Sequence, residues 1–260
     1  MVATTQLTTF RRKIAMDIDC GQYLVSTAKT HDEITQALAL RYQVFFGDKP
    51  DSLADGIDVD EYDDLADHLI LTDKATNQVV GTYRMLCSQY TDHFYTQTEF
   101  DMTDLLELPG IKLELGRACV HEKHRGTAAI QILWKGMTTY FQLCGARYMF
   151  GCSSVDSHLK EHFASIHRAL FHYPTLPLEL EPTPLTPIPY DIDPDVKRDG
   201  CISDPRKGDR LLPPLLKAYL KAGAQVGSRP YWDPMFQTLD YFTWFDAHNI
   251  QGSYGRKFGI

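Results

Sequence analysis

Residues 112–120, KLELGRACV, alternate apolar and polar side chains with the period of two of a half-buried strand, yet place Glu114 and Arg117 in a run otherwise fit for a core. This charged strand constrains the fold more than any other feature. It needs a sheet around it and partners for its charges, because a buried carboxylate is either paired or protonated. In a regular strand Glu114 and Arg117, three apart, face opposite sides of the sheet. Gly116 between them marks a candidate bulge, which re-aims side chains and frees backbone N–H groups. Two readings stand side by side: Glu114 as a general base of raised pKa, and a structural Glu114–Arg117 ion pair.

The flanking periodicity supplies the rest of the layer. After the strand, HRGTAA opens a helix expected over 125–143, with Ile130, Leu133, Trp134, Met137 and Phe141 at helical spacing. A strand over 147–153 follows, then helical spacing through Leu159, Phe163, Ile166 and Leu170. Upstream, YLVSTA reads as a strand, and Thr30 with Glu33 forms a capping box before a helix carrying Ile34, Leu38, Arg41 and Phe45 on one face. Arg41 is out of place in that stripe, as a snorkelling side chain or a functional one. HLILTD and QVVGTYRMLCS read as strands turning at Asn77. Strands interleaved with helices predict a mixed α/β sheet.

Residues 171–210 hold eight of the 14 prolines, which excludes regular helix and central strand and predicts a lid, binding loop or linker. Beyond them LLPPLLKAYLKAGAQVG reads as a proline-started helix ending near Gly223, and LDYFTWFD as a strand. These complete one domain over 1–260, with a core over 20–170. A hydrophobic content of 43% is enough to fill it.

A net charge of −8 argues against a nucleic-acid partner. Six cysteines without a CxxC pair suit a reducing cytoplasm, and no run has the length of a membrane span or the core of a signal peptide. HLKEH matches a zinc pattern, but no third ligand is evident and no metal is expected. GIDVDEYDD lacks the calcium-loop register. It is either a solvated loop or a negative wall for a cationic substrate such as an amine.

The turn after the strand leads into a helix N-terminus, where free N–H groups and the helix dipole make an anion site. Ala128 and Ala129 stand where glycine would let a diphosphate approach closely. Lys112, Arg117, Lys123, Arg125, Lys135 and Arg147 form a local basic excess suited to an acidic partner.

These residues resemble the acyl-donor site of the GNAT acyltransferase superfamily. More narrowly, RYQVFF, DVDEYD, HLILTD, VVGTYRML with Arg84 and ELGRACV follow the order of the branch holding acyl-homoserine-lactone synthases and L-ornithine N-acyltransferases, the haemolysin-like relatives included. The resemblance spans about residues 35–170, and LWKGM and PLLKAYLKAGAQVGSRPYWDPMFQTLDYF are similar to the ornithine enzymes. Asp58 stands where lactone synthases carry glutamate, and their loop tryptophan is absent.

The resemblance implies a GNAT-like α/β fold, mostly antiparallel with helices on both faces, plus a C-terminal extension. It implies transfer of a fatty acyl group, often 3-hydroxylated, from an acyl carrier protein thioester, or acyl-coenzyme A, to the α-amine of an amino acid. No cofactor is bound, and the product belongs to aminolipid synthesis. Expected catalytic residues are Glu114, Gly116 and Arg117; Arg41, Asp58, Asp60, Asp63 and Arg84 would bind the acceptor. Val120, Lys123, His124, Arg125, Gly126 and Thr127 would bind the donor. The expected setting is the cytoplasm, as a monomer or dimer with peripheral contact to the inner membrane. A lactone-type signal synthase, an enzyme acylating glycine or another amino acid, and a silent acyl- or carrier-binding module are the alternatives.

Overall fold

The computed structural model describes residues 11–47, 56–189, 191, 193 and 204–249. Its elements run, in chain order, β1 (Asp17–Cys20), β2 (Tyr23–Thr27), α1 (His31–Phe46), β3 (Asp67–Asp73), β4 (Gln78–Cys87), β5 (Phe100–Asp101), α2 (Thr103–Glu107) and β6 (Ile111–Val120). Then come α3 (Ala129–Leu143), β7 (Ala146–Asp156), α4 (Phe163–Leu170), β8 (Thr183–Pro184), α5 (Pro205–Leu211), α6 (Pro214–Ala222), β9 (Gln225–Val226), β10 (Tyr231–Asp233) and β11 (Thr238–Asp246). The chain divides into two compact units, one formed by residues up to 94 with 111–146, the other by 95–110 with residues from 147 on.

In the first unit β1, β2, β3, β4 and β6 pair antiparallel in that order. Alternation on β3 divides the two faces. Ile70 packs with Ile34, Ala37 and Leu38 of α1, whereas Leu69 and Leu71 lie under α3. Two glycines allow the α3 side to close tightly. A Cβ on Gly136 would lie 2.5 Å from Val25 Cγ2, and one on Gly81 2.8 Å from Leu133 Cδ1. Thr30 and Glu33 form the expected capping box, and Asn77 turns the β3–β4 hairpin with φ of 55°.

Two bulges interrupt the ladder. Leu71 faces Gly81 and Thr72 faces Val79, so Val80 is extra on β4. Thr82 faces Cys119 and Arg84 faces Gly116, so β6 carries one residue more than β4 across this interval.

In the second unit β11 pairs antiparallel with β7, β10 and β9. One side is an apolar core of Val155, Leu239 and Tyr241 with Phe163, Ile166 and Leu170 of α4 and Leu216 and Leu220 of α6. Phe150, Phe242 and Trp244 associate through their rings, as do Phe100 and Phe242.

Several sequence expectations shift. The helix expected from 125 begins at Ala129, because 122–124 form a 3₁₀ turn and Gly126 has φ of 77°. HLKEH lies in a 3₁₀ turn, Ser157–His162, so the α-helical one-turn offset of its two histidines does not arise. The proline-rich segment contains a helix after all. Pro205 starts α5, where a proline fits the first turn, and Asp204 Oδ1 accepts from Arg206 N. Cys201 and the DKPDSLA stretch lie outside the described residues. Among those described, no helix is long and apolar enough to cross a membrane.

Candidate active site

The charged residues of the first unit gather on the α1 face. Arg41 is there because helical spacing from Ile34 and Leu38 carries it into the buried stripe, where it is 0% exposed. Arg84 is opposite Gly116 on β6, and Glu114 is two residues along on the same face, 3% exposed. The loop after α1 brings Asp58, Asp60 and Asp63, with Asp58 N bonded to Leu38 O at 3.1 Å.

Three arginines and three aspartates close into a ring of alternating charge. Arg41 Nη1 is 2.6 Å from Asp63 Oδ1, and Arg84 Nη1 is 3.6 Å from that oxygen. Arg84 Nη1 meets Asp60 Oδ1 at 2.5 Å, and Asp60 Oδ2 meets Arg117 Nη2 at 3.1 Å. Arg117 Nε lies 3.3 Å from Asp58 Oδ2, which Arg41 Nε approaches to 2.7 Å. The six formal charges cancel. Buried ions are tolerated only when each is paired and hydrogen-bonded, and the ring provides this.

Its walls are uneven. Arg41 and Asp63 side chains have no exposed surface, whereas Asp60 is 25% and Arg117 12% exposed. The ring therefore opens to solvent at the Asp60–Arg117 corner. Burial alone would raise Asp63, but Arg41 and then Arg84 hold its carboxyl below the usual carboxylate range. Burial lowers His68, whose ring nitrogen lies 3.2 Å from Asp63 O. Tyr62 lies beside the ring, with the Arg84 guanidinium 5.5 Å from its ring centroid. Burial, and then the negative charges of Glu61, Asp60 and Glu114, raise its phenol.

The β6 bulge explains how Arg117 reaches this face, but its strained residue is not the expected one. Arg117 itself adopts φ of 51°, an uncommon conformation for a side-chain-bearing residue. A Cβ on Gly116 would meet nothing closer than Arg84 at 3.9 Å, so this glycine is not sterically required. Arg41 and Asp63 are fully buried and neutralise one another's charge.

The expected donor residues form a separate exposed turn at the end of β6. His121 N bonds Val80 O, and His121 Nδ1 accepts from Lys123 N at 3.2 Å. Arg125 Nε donates to Val120 O at 3.0 Å, and Tyr23 Oη is 2.9 Å from His124 Nδ1. Thr127 Oγ1 accepts from Ala129 N, while Ala128 gives α3 no side-chain cap. Lys123, Arg125, Gly126 and Thr127 are exposed. Sequence reasoning missed Tyr62, His68 and Tyr23. Tyr62 lay in plain view within the acidic DVDEYD stretch, whereas only tertiary contact selects the other two.

Comparison with known proteins matches residues 40–135 to the acetyltransferase (GNAT) domain family, a span that includes every charged side chain of the ring. The chain is 32% identical over 247 residues to the L-ornithine N(alpha)-acyltransferase of Rhizobium meliloti, covering 89% of this chain and 82% of that protein. It is also 32% identical over 242 residues to the protein of that name from Rhodobacter capsulatus, covering 86% and 90%. Among solved structures, a CoA-dependent acyl-homoserine lactone synthase, BjaI, with SAM and isopentyl-CoA, is similar at a TM-score of 0.43 and 14% identity, covering 88% and 83%.

Proposed function

Since this chain belongs to the L-ornithine N(alpha)-acyltransferase family and is an acyltransferase, we propose that it moves a (3-hydroxy)fatty acyl group from a carrier-protein thioester to the α-amine of ornithine, in ornithine-lipid synthesis. The observation that carries the site assignment is the charged ring, most exposed to solvent at Asp60 and Arg117, with buried Glu114 on the same strand face as the Arg84–Gly116 pair. We also assign both compact units to one acyltransferase domain.

The acceptor enters at the open corner. Its carboxylate meets Arg117 and its side-chain ammonium meets Asp60, two charged contacts that orient the α-amine. Arg41, Asp58, Asp63 and Arg84 hold those two groups in place. The α-ammonium loses a proton to Glu114, directly or through water, and the free amine attacks the thioester carbonyl. The new C–N bond forms and the C–S bond breaks as the tetrahedral nitrogen loses its second proton and the departing sulfur takes one up. Backbone N–H groups near the Gly116–Arg117 bulge stabilise the oxyanion, an effect of about 3 kcal/mol per donor.

On the donor side, exposed Lys123 and Arg125 complement an acidic carrier, and the uncapped α3 N-terminus with Thr127 takes its single phosphate. Alanines at 128 and 129 suit this ligand better than a wrapped diphosphate. We propose further that the enzyme works as a peripheral protein at the inner face of the membrane. Incubating the chain with acyl carrier protein thioesters or acyl-coenzyme A and a pool of amino acids, with mass spectrometry of the products, tests the proposal. N-acylornithine from the carrier thioester supports it. A different acceptor overturns the ornithine assignment, and binding of the carrier without turnover overturns the reaction.

A further inference from the structure

A second cluster of buried charge takes no part in this chemistry. Glu99 precedes β5, Asp233 ends β10 and Asp240 lies on β11, all within the second unit. Each offers a carboxyl oxygen within 4.8 Å of the other two, and they are 2%, 5% and 3% exposed. Both Glu99 oxygens are buried, with the Cys152 thiol and the Tyr95 hydroxyl as their neighbours. Asp233 Oδ1 accepts from Met235 N at 2.7 Å and Phe236 N at 3.1 Å, which fixes its carboxyl group.

A neutral group of β11 points to a ligand independently. Thr238 is 8% exposed, and its Oγ1 has no hydrogen-bond partner. It is directly opposite Asp233 in the β10–β11 register and two residues from Asp240, so its side chain rises from the same face as both. A buried hydroxyl is ordinarily satisfied, and an unsatisfied one beside crowded carboxylates is an oxygen ligand in waiting.

We propose that Glu99, Asp233 and Asp240, with the Thr238 hydroxyl as a neutral fourth oxygen, bind a divalent cation of the calcium class. Two positive charges offset most of the negative charge that three ionised carboxylates would bring into the interior. An all-oxygen set of carboxylates and a hydroxyl suits a hard cation, and calcium accepts irregular coordination whereas magnesium demands a near-ideal octahedron. Cys152 lies beside the cluster, but the proposed ligands are all oxygens, which suits a hard cation and not a soft, thiolate-bound metal. The cation would tie the segment before β5 to the β10–β11 hairpin.

The test uses the full chain stripped with chelator, then titrated with Ca²⁺, Mg²⁺ or Mn²⁺ by calorimetry and thermal melting. Expected are stoichiometric, saturable Ca²⁺ binding with a raised midpoint and weaker binding of Mg²⁺. Binding is lost in Asp240→Asn and weakened in Thr238→Val, the latter removing no charge and preserving shape. Identical melts with and without chelator, and no saturable binding of any of the ions by wild-type protein, overturn the site. So does binding that survives unchanged in both Glu99→Gln and Asp240→Asn. None of these readouts depends on acyl transfer, so failure here leaves the proposed reaction to its own test.

Discussion

In the first unit three arginines face three aspartates around a closed ring; in the second, three carboxylates face one another. Both clusters are removed from water, and both meet the same cost of desolvating ions. The ring meets it internally, since every charge has an opposite neighbour. The trio meets it by keeping a proton or acquiring a cation. Pairing within the chain yields a rigid frame that can present a partly exposed corner to a substrate, whereas the trio responds to its ionic surroundings.

That contrast breaks first on activity. Glu114→Gln keeps shape and fold but lowers kcat about 10²–10⁴-fold, read from initial rates of N-acylornithine formation. Full activity in a folded variant removes Glu114 as the base. On stability, Arg41→Met leaves Asp58 and Asp63 only their longer arginine contacts, to Arg117 and Arg84, and costs about 3–5 kcal/mol in urea unfolding. Glu99→Gln in chelated protein costs nothing comparable, because it removes a crowded acid and not one half of a pair. Equal losses in these two variants would end the distinction.

Acid sharpens the comparison further. His68 is held below its ordinary value of 6.5, so the unfolded chain takes up its proton first, and stability falls as pH drops below about 6.5. Asp63, depressed by Arg41 against its burial, contributes stability that is fully present above 3.8 and is lost as pH falls through its lower folded value. Melting midpoints measured from pH 8 downward should decline in that sequence. The smallest effect belongs to the open corner. Asp60→Asn should change stability by no more than about 1 kcal/mol, as for other partly solvated pairs, while raising KM for ornithine.

Local signals were legible in the sequence where one residue type satisfies one backbone need. Thr30 with Glu33, Asn77 at its hairpin and Gly223 with φ of 103° at the end of α6 are of this kind. Arg41 was visible as an anomaly in an apolar stripe, but its partners come from a later loop and two strands. Gly116 drew the bulge prediction through its residue type. The strained conformation fell instead on Arg117, whose charged contacts at Asp58 and Asp60 hold it there. α5 was hidden because composition alone does not reveal that Pro205 occupies a first turn. Glu99, in an unremarkable QTEFD stretch, gave no hint of the distant aspartates that crowd it.

Closure of the ring also governs how the site responds to salt. An electrically balanced loop has no monopole, so its field decays quickly, and dissolved ions have little long-range attraction to weaken. Ornithine capture at its corner should therefore vary little with ionic strength, while the encounter of an acidic carrier with Lys123 and Arg125 slows steeply as salt is added.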